Sequence, residues 1–291
     1  MSRRAVPHFT IGGVIGAGCS VLIRDFLRLL AIGLAVAVPV GLVLAVAILE
    51  GPFEAGGAVI RVAPEPGVDI GAILYWLAVA LLFLAGYAAA LTALTHGALQ
   101  ALGGEPVGIG VSLRVAIRTL PKAFGAILVY CLVAGILLVA VVWCIVALST
   151  ELSVAWRLPD FIDYGKLARN GGIGLVGLVL LLLFMIASWV FVPALAVEGA
   201  GPIRCFRRSF ALTKGRRWKV LAIVVLLAVV SVGSSLLTGQ IQQAGAVDLG
   251  AWLDYALTGL QTALGVTISA AGYQRLRAEK EGGADLAQVF D

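Results

Sequence analysis

Six stretches of the chain run without a charged side chain for long enough to matter in a bilayer. There are 21 such positions between Arg28 and Glu50, 26 between Asp69 and His96, and 28 between Lys122 and Glu151. A further 28 separate Arg169 from Glu198, 28 separate Lys219 from Asp248, and 20 separate Asp254 from Arg275. A helix rising 1.5 Å per residue needs about 20 apolar residues to cross the hydrocarbon core. Each stretch therefore suffices for one crossing and none suffices for two. Sustained period-two alternation is missing, so the strands of a membrane barrel are not expected. The pattern predicts an all-α polytopic membrane protein forming a single domain over 1–291. Its six spans fall near 27–49, 70–95, 123–148, 171–197, 218–238 and 252–274, followed by a tail over 275–291.

Between the spans, amphipathic stretches predict helices lying at the membrane surface. Ile11 to Leu30, Ile109 to Val129 and Pro202 to Leu221 each open near Gly or Pro. Each then carries basic residues, an aromatic (Phe26, Phe124, Trp218) and an apolar run. Three repeated units of surface helix, span, outer loop and span would produce this pattern, and so would convergence on one interfacial composition. In the third unit Ile203, Phe206 and Phe210 recur at three- and four-residue spacing, so they are expected to share a face that sinks below the headgroups. Arg204, Arg207 and Arg208 flank that face, and Lys214, Gly215, Arg216, Arg217, Trp218 and Lys219 return the chain to the membrane. Glu198 ends the preceding span. Its carboxylate is expected to pair with Arg208 or a neighbour and to fix the angle of this elbow.

Composition supports the membrane class: 61% of residues are apolar, 13% are charged, and the mean hydropathy is +1.05. Soluble domains carry about 25% charged residues, and a soluble fold of this length cannot hide so much apolar surface. The positions of the charges add a direction. With the N-terminus inside, 17 of the 21 basic residues fall in inner segments, and only Arg61, Arg157, Lys166 and Arg169 fall outside. By the positive-inside rule both termini are cytoplasmic, as in a multi-pass protein of a bacterial inner membrane. The net charge of +5 then answers the anionic inner leaflet, and no nucleic-acid partner is expected.

Candidate chemistry is sparse. Ala17-Gly18-Cys19 is a poor lipid-attachment site, because Gly16 stands where a branched residue belongs and cleavage there would place Arg24 and Arg28 outside. Gly172-Ile-Gly174-Leu-Val-Gly177 matches a dinucleotide fingerprint by spacing, yet it opens an apolar run with no strand before it. It reads better as small residues that let two helices approach closely. Cys19, Cys131, Cys144, Cys205, His8 and His96 form no metal-ligand spacing, so neither a metal nor a cofactor is expected. His96 is expected at the inner membrane interface. Ionisable groups at mid-membrane, paired carboxylates and a nucleophilic triad are all missing, and no catalytic residue is assigned.

Polar stripes do run along the last two spans. Thr258, Thr262, Gly265, Ser269 and Gly272 share one face of the sixth, while Ser231, Ser235, Thr238 and Gln242 line the outer half of the fifth. Such stripes glue helices together. They also fit a polar cleft lined by Ser235, Thr238, Gln242, Asp254, Thr258, Gln261 and Thr262, with Asp254 and Gln261 near its mouth. The loop from Glu151 to Asn170, with Trp156, Asp160, Asp163 and Tyr164, suits a lid or a surface helix.

One segment resembles a known family. Phe191-Val-Pro193-Ala-Leu-Ala-Val-Glu198-Gly-Ala-Gly-Pro202, followed by Arg207-Arg208-Ser209-Phe-Ala-Leu-Thr-Lys214-Gly215-Arg-Arg-Trp218, is similar to the membrane domain fused to some bacterial glycerophosphoryl diester phosphodiesterases. The tail from Tyr273 to Asp291 resembles that family's closing stretch, and Pro39 fits as well. The resemblance implies a six-helix membrane domain that also occurs alone. It does not imply phosphodiesterase activity, because the soluble catalytic barrel with its His-Arg-Gly start is missing from this sequence.

Two classes of function fit these readings. One is a non-catalytic scaffold whose cytoplasmic elbows engage anionic lipid or a protein partner. The other is a carrier for a lipid or small amphiphile, working through the cleft between the fifth and sixth spans. A membrane-embedded enzyme is a distant third.

Overall fold

In lipid a chain must satisfy its own backbone hydrogen bonds, and an uncharged run of this length does so as a helix. The computed structural model describes residues 9–49, 70–157, 164–199, 201–245 and 247–281, and among them every regular element is helical. The helices are α1 (Ile11–Arg24), α2 (Phe26–Leu49), α3 (Ile70–Gly103), α4 (Ile109–Arg157), α5 (Tyr164–Ser188), α6 (Phe191–Glu198), α7 (Pro202–Thr213), α8 (Arg217–Gln243) and α9 (Val247–Glu281). Five segments are long and apolar enough to cross a membrane: Phe26–Ala47, Ile70–Gly103, Ile109–Ser149, Arg169–Glu198 (α5 with α6) and Arg217–Gln243. The chain is thus an all-helical, multi-pass membrane protein. α9, where a sixth span is expected, falls outside this set because Thr258, Gln261, Thr262, Thr267 and Ser269 dilute its apolar run.

Burial is uneven along the helices. The buried cores gather at the end that carries most of the basic residues: α1, the second half of α3, α6, α7, the start of α8 and the second half of α9. Toward the other end the side chains of α2, α4, α5 and α8 face outward, as Leu42, Val139, Leu175 and Val229 do. Those surfaces are the ones lipid would cover. α3 touches α1, α2, α4, α6 and α9, and α9 in turn touches α1, α6, α7 and α8.

α1 is more than a surface helix. Thr10 caps it by accepting a hydrogen bond from the Gly13 amide, and Val14, Gly18, Val21 and Leu22 are buried. Gly18 lies so close to α9 that an added Cβ would sit 2.9 Å from the Ile268 backbone. The three repeat-like elbows differ. The first breaks at Asp25 and the third turns through Lys214–Arg216, whereas the middle one runs straight through Pro121 inside the 49 residues of α4. The glycine cluster of α5 packs against α4: a Cβ on Gly174 would lie 2.8 Å from that of Cys144, and one on Gly177 3.3 Å from Val141. The fingerprint spacing is therefore a helix contact. His96 is buried within the protein beside Ser112, with Nδ1 3.3 Å from Oγ.

Candidate functional site

The break between α5 and α6 organises the packed end. Pro193 has no amide hydrogen, and its ring crowds the carbonyl four residues earlier, that of Trp189. The helix stops at Ser188 and restarts at Phe191. The carbonyls freed by this break find hydroxyl donors on other helices. Ser269 Oγ of α9 donates to the Trp189 carbonyl at 2.9 Å, and Ser209 Oγ of α7 donates to the Ala187 carbonyl at 2.6 Å. The Trp189 indole meanwhile rests on Gly272, where a Cβ would lie 2.5 Å from the ring.

α6 delivers Glu198 to the elbow, and Gly199 ends the helix in the left-handed conformation at φ 56°, where only glycine is unstrained. The anticipated pair is formed: Arg208 Nε lies 2.8 Å from Glu198 Oε1. The same carboxylate oxygen accepts from the Tyr273 hydroxyl at 3.0 Å, so α6, α7 and α9 meet on one atom. The far side of the Arg208 guanidinium pairs with Glu281, which Arg277 Nε also reaches at 3.0 Å. Partial desolvation opposes the Arg208 charge, but its bonds to Glu198 and Glu281 outweigh this and raise its pKa.

A second set of contacts clasps the turn between α7 and α8. Arg216 pairs with Glu279, whose carboxyl is held below its ordinary value chiefly by that bond. Glu279 also accepts from the Phe9 amide at 3.4 Å, and Lys219 Nζ donates to the Phe9 carbonyl at 2.8 Å. Lys280 donates to the carbonyls of Ala211 and Lys214, capping the C-terminal end of α7. Desolvation and the nearby Lys214 charge hold the Lys280 ammonium below its ordinary value. Lys122 of α4 reaches the Gly199 carbonyl at 2.6 Å. Seven basic side chains in 16 residues thus divide into two groups. Arg208, Arg216 and Lys219 bind within the protein. Arg204, Arg207 and Arg217 are exposed, without a side-chain partner among the described residues, and the Lys214 side chain also faces outward.

The apolar face of α7 splits in the same way. Ile203 is 74% exposed and Phe210 37%, and Trp218 beyond the turn is 82% exposed. Phe206, expected to sink with them among the lipids, is 8% exposed and stacks on Phe191 at 5.0 Å and Phe184 at 6.2 Å. An amphipathic spacing names a stripe, and here the protein and the membrane divide it. Beside Phe206, burial pushes the Cys205 thiol up to about 11, away from any nucleophilic role at neutral pH.

The cleft residues separate as well. Where the end of α8 meets the start of α9, Thr238 is buried and donates to Asp254 Oδ1 at 3.0 Å. Gly250 packs there too, with an added Cβ only 3.2 Å from the Thr238 carbonyl oxygen. The expected mouth at Asp254, with Thr238 and Gln242 beside it, is therefore a closed helix contact, and Ser235 points outward. Open space lies deeper and on another side. A cavity of about 590 Å³ is bounded by Tyr87, Tyr130, Ser188 and Trp189, by Val224 to Ser231 of α8, and by Thr258, Gln261 and Thr262 of α9. A smaller one, about 270 Å³, adjoins it through Tyr87, Trp189, Thr262 and Gly265. Sequence reasoning missed Tyr87, Tyr130 and Trp189. Pro193 marked the break that brings Trp189 there. Among the described residues no group of three His, Cys, Asp or Glu side chains stands together as metal ligands.

The chain belongs to the family described as a domain of unknown function, DUF7847, whose model matches residues 88–276. That range holds the broken helix, the elbow and nearly all of α9. No curated protein and no solved structure matches the chain.

Proposed function

We propose that this member of the DUF7847 family is a non-catalytic membrane scaffold that engages anionic lipid through the outward side of its α7–α8 elbow. The observation that carries the reading is the division of the basic residues. Arg208 and Arg216 are used inside the protein, while Arg204, Arg207, Lys214 and Arg217 face outward between exposed Ile203, Phe210 and Trp218. Apolar side chains at the acyl boundary with bases at headgroup level are the arrangement of an interfacial anchor, worth about 1 kcal/mol per base near an anionic surface.

The finer topology belongs to this proposal. α9 is taken as the sixth crossing, since 35 residues span roughly 50 Å and its second half is buried against α1, α3 and α8. The basic end is placed in the cytoplasm of a bacterial inner membrane on the charge rule, and both termini with it. The resemblance of 191–218 to the membrane domain of glycerophosphoryl diester phosphodiesterases supports a membrane domain of that kind. A cytoplasmic protein partner would dock on the same elbow. Native mass spectrometry of protein extracted from a defined anionic and zwitterionic lipid mixture tests the reading. Selective retention of the anionic lipid is expected, and retention in proportion to the mixture would overturn it.

A second reading, a carrier for an amphiphile, is favoured by one observation: the cavity of about 590 Å³ lined by Thr258, Gln261 and Thr262.

A further inference from the structure

The chamber beside the helix break opens outward past exposed Tyr87, Val230 and Ser231, and it has the size of a small-ligand site, since such sites occupy about 300–1,000 Å³. Its walls differ in character. Tyr87, Tyr130 and Phe191 present aromatic surface, and Tyr130 is stacked between Phe184 and Phe191 with both ring centroids at 5.4 Å. Val224, Leu227 and Ala228 present aliphatic surface, while α9 contributes Thr258, Gln261 and Thr262. None of its lining residues carries a charge.

The polar groups here have capacity to spare. Gln261 donates its amide hydrogen to Ser234 Oγ, which leaves its amide oxygen as an acceptor at the chamber wall. Thr262 spends its hydroxyl hydrogen on the Thr258 carbonyl at 2.8 Å and keeps its oxygen lone pairs. A charged headgroup would enter with no counter-charge at a depth where an unpaired charge is costly. A hydroxyl group needs only such an acceptor for its hydrogen, and a hydrocarbon chain needs only the walls.

We infer that this chamber binds an uncharged amphiphile, one hydrocarbon chain bearing a hydroxyl group, with that hydroxyl donating to the Gln261 amide oxygen and the chain along Tyr130, Phe191 and Leu227. This deepens the second reading above by naming the ligand class, and it is independent of lipid binding at the elbow.

Gly265 supplies the test. It lines both cavities, and an added Cβ there meets nothing within 4 Å, so a side chain grows into the chamber without displacing a neighbour. Gly259, on a different face of α9 and equally unobstructed, lines a neighbouring groove with Trp252 and Tyr255 that shares only Thr258 and Thr262 with the chamber, and it serves as control. The full chain in zwitterionic nanodiscs is illuminated with hexadecanol carrying a mid-chain diazirine, or with the matched palmitate, and the labelled residues are mapped by mass spectrometry. Hexadecanol is expected to label chamber residues, unlabelled hexadecanol to compete, and Gly265→Leu to cut that labelling about tenfold while Gly259→Leu leaves it unchanged. Gln261→Leu, which keeps side-chain bulk, is expected to weaken competition by unlabelled hexadecanol, so the proposal does not depend on one variant folding. Labelling spread over the lipid-facing surface and indifferent to Gly265→Leu would overturn the site. Equal labelling by palmitate would overturn the ligand class. Neither result touches anionic-lipid retention at the elbow. Chamber labelling without any transfer of the alcohol between membranes would remove the carrier reading and leave the site.

Discussion

Ser269 donates its hydroxyl to the Trp189 carbonyl across 2.9 Å, and Pro193 is the reason that carbonyl needs a donor. A proline on one helix and a serine 76 residues later therefore act as a pair. Ser269→Ala leaves a half-buried carbonyl without its donor and is expected to lower stability by about 1–3 kcal/mol, read as a lower unfolding midpoint in detergent. In the Pro193→Ala background, where residue 193 regains its amide hydrogen, the same substitution is expected to cost clearly less.

Gly272 lets the Trp189 indole lie against α9, and a methyl group there would sit 2.5 Å from the ring. Gly272→Ala is expected to destabilise although alanine favours helix by about 1 kcal/mol over glycine. The check is the emission of Trp189 in a variant whose other tryptophans are replaced by phenylalanine. Its band should shift as the ring leaves its seat.

Arg208 joins Glu198 to Glu281, so removing its charge releases the end of α9 from the elbow. Arg208→Gln is expected to cost about 1–2 kcal/mol and to expose residues near Glu281 to limited proteolysis. Charge reversal at Glu198 should do the same, since it also deprives Tyr273 of its acceptor.

Acid should open the same contacts. The Arg216 hydrogen bond holds Glu279 below its ordinary 4.5. At Glu281 burial would raise the value, and the bonds from Arg208 and Arg277 outweigh it. A carboxyl whose folded pKa is depressed stabilises fully above its unfolded value and loses that contribution as pH falls through the folded one. Unfolding midpoints should therefore hold between about pH 7 and 5 and fall below about 4.5. In Glu279→Gln/Glu281→Gln that part of the acid loss should be missing.

How much of this was legible in the sequence follows from the range of each interaction. Uncharged gaps announced the apolar helices because the bilayer sets one length for all of them. Glu198 and Arg208 were readable as partners because they stand ten residues apart around one turn. Arg216 and Glu279 were not, since Glu279 lies 63 positions later, across α8 and α9. Periodicity placed Phe206 with Ile203 and Phe210, but spacing does not say which residues of a stripe meet protein and which meet lipid. The polar stripe of α9 shows the same limit. Ser269 faces Trp189, Asp254 closes on Thr238, and Thr258, Gln261 and Thr262 border open space, three outcomes that one pattern of small and polar residues cannot separate.

The central claim is that the elbow's bases have two separate duties, and lipid retention measured on two variants tests it most directly. Native mass spectrometry is run on Arg204→Gln/Arg207→Gln/Arg217→Gln and on Arg208→Gln/Arg216→Gln, both extracted from the same anionic and zwitterionic mixture. The first variant should lose anionic lipid about a hundredfold, at about 1 kcal/mol for each of three bases, with its unfolding midpoint unchanged. The second should keep the lipid and lose stability. Equal lipid loss from both variants, or from neither, would contradict the account.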